Sequence, residues 1–101
     1  PEPFEATLTL ELAPWALHFP SDWGQRLTES LATIKQTIWE RGPSVTSDGP
    51  RRVRVTLDTY GFSPTDASLN AETLLRRHVP LAGLMAGDYT ISVTSAERAT
   101  P

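Results

Sequence analysis

The sequence predicts an α+β two-layer sandwich, with one long and one short helix on one face of a mostly antiparallel sheet of three or four strands. Three observations predict it. Three segments alternate apolar and polar residues with period two, and one longer segment carries an apolar stripe at helical spacing. No linker or internal repeat divides the 101 residues, so residues 1–101 read as a single domain. One-sided strands and an amphipathic helix bury their apolar faces only against one another.

The first strand is carried by Phe4, Ala6, Leu8, Leu10 and Leu12, which alternate with Glu5, Thr7, Thr9 and Glu11. This is the pattern of a strand with one face in the core and one in water. Pro14 interrupts the ladder because it has no N–H to donate. Trp15, Leu17 and Phe19 then resume the alternation, so "WALHF" reads as a short edge strand or an extension beyond a bulge.

Trp23, Leu27, Leu31, Ile34 and Ile38 fall on one helical stripe and predict a helix over 23–41. Asp22 is placed to cap it, with Gln25 completing a capping box. Gly42 and Pro43 supply the stop. "PSVTSDGP" reads as a polar loop. Val53, Val55 and Leu57 alternate with Arg52, Arg54, Thr56 and Asp58 in a second strand. Asn70 is positioned to cap a short helix through Leu74, Leu75 and His78, with a start near Thr65 as the alternative. "LAGLMAGD" is a glycine-broken apolar turn, and Tyr89, Ile91 and Val93 alternate with Thr90, Ser92 and Thr94 in a last strand. The ends, residues 1–3 and 95–101, read as loose. A ferredoxin-like βαββαβ variant is the nearest common topology, if "WALHF" supplies the fourth strand.

Composition narrows the function classes. The chain has no cysteine, which removes disulfides, thiolate metal sites and cysteine nucleophiles together. No apolar run approaches the roughly 20 residues of a membrane span, and the first residues lack the basic and apolar regions of a signal peptide. A cytoplasmic location is the expectation. Eight arginines to one lysine point to a GC-rich, bacterial coding genome.

The net charge of −3 lacks the basic surplus of a dedicated nucleic-acid binder. Even so, Arg51, Arg52, Arg54, Arg76 and Arg77 form a candidate basic patch. Arg52 and Arg54 share a strand face with threonines, serine and acids rather than the outward aromatics on which bases stack. Pairing with Glu5 or Glu11, worth roughly 0.2–1 kcal/mol each, accounts for them without a ligand.

Catalytic and metal motifs are weaker still. His18 and His78 are 60 residues apart, with none of the spacings that gather three or four zinc ligands. Ser21 and Asp22 lie near His18, but both suit a helix cap. Asp58 and Asp66 sit at turns, where Asp is common. "GLMAG" lacks the Lys-Ser/Thr of a phosphate loop. No residue stands out as catalytic, cofactor-binding or metal-ligating.

The tryptophans and one apolar turn carry the better signal. Trp15 falls on the edge that "WALHF" would form, and Trp39 lies roughly 120° from the helix stripe at about 100° per residue. With Leu84 and Met85 they make the candidate interface. The expected function is therefore non-catalytic protein–protein contact, with a second copy of the chain or another protein as partner. A nucleic-acid module is the alternative. A small-ligand site around Tyr60–Phe62 and residues 81–87 is the third reading.

Overall fold

In the computed structural model, which describes residues 1–34 and 42–99, the element order is βαββαβ. Strand β1 spans Glu2–Leu12, helix α1 Trp23–Leu31, β2 Ser44–Ser47, β3 Arg52–Gly61, α2 Pro64–His78 and β4 Tyr89–Arg98. A 3-10 turn over Val79–Ala82 follows α2. The sheet order is β2-β3-β1-β4, with every neighbouring pair antiparallel. This is the split arrangement of the ferredoxin-like topology. No helix among the described residues is long and apolar enough to cross a membrane.

Period-two patterning decides which face of the sheet is covered. Phe4, Ala6, Leu8, Leu10 and Leu12 of β1 are buried, as are Val53, Val55 and Leu57 of β3. Register places them side by side, with Ala6 opposite Leu57, Leu8 opposite Val55 and Leu10 opposite Val53. Trp23, Leu27 and Leu31 of α1, and Ala71 and Leu75 of α2, complete the core from the helix side. Each buried Leu or Val contributes roughly 1.5–3 kcal/mol relative to exposure. The other sheet face carries Glu11, Arg52, Arg54, Thr90 and Ser92, all exposed, and no helix of the described residues covers it.

Helix α2 begins where its sequence provides a complete start. Ser63 Oγ accepts from the Asp66 N–H at 3.1 Å, Pro64 occupies the first turn, and the Asp66 carboxylate accepts from the Phe62 N–H at 2.8 Å. Ser63 therefore caps the helix; Asn70 lies inside it and bonds the Tyr60 carbonyl instead. Gly61 lets α2 rest on the end of β3, since a Cβ there would stand 2.6 Å from the Ala67 amide nitrogen.

Several sequence expectations need correction. "WALHF" forms no strand: the chain turns at Pro14–Trp15, and Ala16 N–H returns to the Ala13 carbonyl. Arg51 supplies the reason, because its guanidinium donates to the carbonyls of Ala13 and Ala16 that a ladder would otherwise use. The fourth strand is instead β2, inside the segment that reads as a loop; Val45 faces Val55 across it.

Helix α1 ends at Leu31, short of the expected boundary. Thr33 and Ile34 close i→i+3 bonds to Ser30 and Leu31, and the Thr33 hydroxyl takes the Ser30 carbonyl at 2.7 Å. The remainder of the expected helix, 35–41, lies outside the described residues. Asp22 stands at the N-cap position but makes no side-chain cap bond; its carboxylate pairs with Arg26 at 2.9 Å. Residues at both expected loose ends are strand, since β1 begins at Glu2 and β4 runs to Arg98.

Candidate interaction surfaces

The loop after β1 and the turn before β4 meet at one end of the molecule. Trp15 is pinned there, its indole Nε1 donating to the Gly87 carbonyl at 2.9 Å, yet 68% of it stays exposed. Met85, 72% exposed, lies two residues from that carbonyl. Pro20 packs where a Cβ on Gly83 would stand, 2.6 Å away, and Gly83 holds the left-handed φ of 87° that ends the 3-10 turn. Leu17 and Leu81, on the same two segments, are also exposed.

Of the four candidate interface residues, Trp15 and Met85 are exposed, and the Trp15 indole is bonded two residues from Met85. Leu84 belongs to the core at 4% exposure, and Trp39 lies outside the described residues. Leu17, read as part of an edge strand, and Leu81, read with residues 81–87 as a small-ligand segment, were not among the expected interface residues. The informative signal was Pro14, which turns the chain and leaves small Ala16 as the buried residue of "WAL".

The five arginines occupy three separate places. Arg51 is structural, bonded to Ala13 and Ala16 and stacked 5.4 Å from the Phe19 ring centroid. Arg52 and Arg54 lie on the sheet face away from α1 and α2. Arg52 pairs with Glu11 at 3.6 Å and Asp48 at 3.3 Å, and Arg54 reaches Asp48 at 3.9 Å. Arg76 and Arg77 belong to α2, in the layer on the opposite side of the sheet. Arg76 pairs with Glu72 at 3.0 Å and covers the Tyr89 ring.

Tyr60–Phe62 and residues 81–87 lie at opposite ends of the sheet. Tyr60 is opposite Pro3 at the start of β1, whereas Tyr89 is opposite Leu12 at its finish. They do not line one site. Phe62, just before the α2 N-terminus, is 79% exposed, and Leu69 on α2 is exposed as well.

No known family, curated protein or solved structure matches this chain.

One Ser–His pair is present: Ser30 Oγ lies 2.8 Å from His78 Nδ1 and 3.4 Å from the His78 carbonyl. Among the described residues no carboxylate orients the imidazole, and Ser30 is 8% exposed. The pair therefore joins the ends of α1 and α2, and among the described residues it has no third member of the kind that a nucleophile–base relay uses. Asp66 is committed to capping α2, and no group of three or more His, Asp or Glu among the described residues is placed to hold a metal. A cleft of about 550 Å³ opens between the start of α1 and the β2–β3 hairpin, lined by Ser21, Gln25, Thr28, Val45 and Ser47 among others.

Proposed function

We propose that this protein is a non-catalytic module that works through protein–protein contacts and associates with itself. The observation that carries the reading is the end surface of Trp15, Leu17, Leu81 and Met85. These are large apolar side chains exposed on two segments fastened together by the Trp15–Gly87 hydrogen bond. A tryptophan held rigid at its polar atom presents its ring at little entropic cost, which suits an interface anchor. Rim charges are close by, with Arg52 and Glu11 at the same end of the sheet.

Sedimentation equilibrium across low to high micromolar concentration tests the reading. The expected result is a mass that rises with concentration. Replacement of Trp15 by Ala together with Met85 by Ala should weaken the capture of a partner or copy that uses this end. A strict monomer across the whole range overturns self-association.

A further inference from the structure

Strand β4 closes one side of the sheet. It pairs with β1, α2 packs on its helix-facing side, and among the described residues no strand pairs with its other edge. The backbone direction along that edge follows from one bond. Ala13 N–H donates to the Asp88 carbonyl in the register of the β1–β4 ladder, so Asp88, Thr90 and Ser92 turn their polar groups towards β1. Tyr89, Ile91 and Val93 therefore turn their N–H and C=O outward.

This regular run has definite limits. Before it lies Gly87, with φ of 91°; after it the register slips by one residue, and the Thr94 hydroxyl bonds the Thr7 carbonyl. From Tyr89 to Val93, after the one charge of Asp88, the edge has no charge and no proline, the usual devices that keep an edge from pairing. Its apolar side chains, Tyr89, Ile91 and Val93, are only partly buried against the core. The opposite edge, β2, is four residues long and ends beside Asp48, Gly49 and Pro50.

We propose that β4 pairs antiparallel with β4 of a second copy about a two-fold axis at Ile91, which joins the two sheets into one. The proposal rests on the self-association reading and adds a second contact, the strand edge that starts just after the Gly87 carbonyl held by Trp15, together with its register. With the axis at Ile91, the outward groups of Tyr89 meet those of Val93 in the other copy, and Ile91 meets Ile91. Every outward residue of the run finds an outward partner. On the helix side the half-buried Tyr89, Ile91 and Val93 cover their counterparts. On the open face Thr90 stands opposite Ser92, small and uncharged in both copies. A slip of one residue puts inward-bonded groups at the contact. A slip of two carries the Gly87 turn or the Thr94 irregularity into the ladder.

Charge placed at Thr90 and Ser92 tests the register, because both side chains are exposed and outside the core. T90K/S92K sets lysine opposite lysine twice, and T90K/S92E sets lysine opposite glutamate twice. The parent chain is expected to dimerise, T90K/S92K to raise the dissociation constant roughly tenfold, and T90K/S92E to return it to the parent value or below. Unchanged urea midpoints establish that both variants fold. A dimer indifferent to both substitutions overturns edge pairing and leaves self-association standing through another surface. Loss of the dimer in both variants overturns the Ile91 register. A parent that remains monomeric overturns edge pairing and self-association together, and capture of a foreign strand at this edge would then show as binding without a homodimer.

Discussion

Ser30 Oγ and His78 Nδ1, 48 residues apart in sequence, stand 2.8 Å apart and tie the C-terminal ends of the two helices together. Ser30 is the penultimate residue of α1 and His78 the last of α2, so the contact joins the two helices where both end. Replacement of Ser30 by Ala removes one largely shielded hydrogen bond and is expected to cost about 1 kcal/mol in urea unfolding. A double-mutant cycle with His78→Ala should recover most of that cost as coupling. A serine-reactive phosphonate should leave Ser30 unlabelled; labelling there would restore a catalytic role to the pair.

Arg51 holds the loop that displays Trp15. Its guanidinium reaches two carbonyls and stacks on Phe19, a geometry that the single ammonium of lysine does not reproduce. Arg51→Lys is expected to destabilise the fold by about 1.5–3 kcal/mol, the range for hydrogen bonds to charged groups. Limited proteolysis should then cut first within residues 13–20. Equal protease resistance in parent and variant would argue that Pro14 and the Trp15 bond hold the loop without Arg51.

Gly61 is fixed by space rather than by backbone angle. A methyl group there meets the amide nitrogen of Ala67 at 2.6 Å and its Cα at 2.8 Å, atoms of a helix that must shift as a unit. Gly61→Ala is expected to cost about 1–3 kcal/mol through overpacking. Chemical denaturation measures it, and a cost near zero would mean that α2 slides along β3 without penalty.

The strands were legible wherever burial was one-sided and the run was long. In β1 five apolar residues alternate with polar ones and all five are buried. Strand β2 escaped because Val45 is its only apolar residue, and a short edge strand needs no more than that. "WALHF" misled for the opposite reason: its alternation is genuine, but Arg51, distant in sequence, captures the carbonyls that pairing would need. The end of α1 at Leu31 was not legible because the apolar stripe continues to Ile34, whereas Thr33 and Ile34 close i→i+3 bonds instead of helical ones.

For the candidate surfaces, Trp15 and Met85 were readable as apolar residues beside turn-formers. Leu84 was not separable from them, because burial in an irregular segment follows from tertiary packing and has no period. The scatter of the arginines was likewise hidden, since alternation places Arg52 and Arg54 on a face but says nothing of where α2 carries Arg76 and Arg77.

The inner position of β1 has a consequence for how the protein is made. Its neighbours β3 and β4 come from segments beginning about 50 and 87 residues later, and both pairings are antiparallel and nonlocal. During translation β1 emerges from the ribosome before either partner exists. The hairpin of β2 and β3 is complete well before β4, so the nascent chain waits with one side of its first strand unpaired until Tyr89–Arg98 has cleared the exit tunnel.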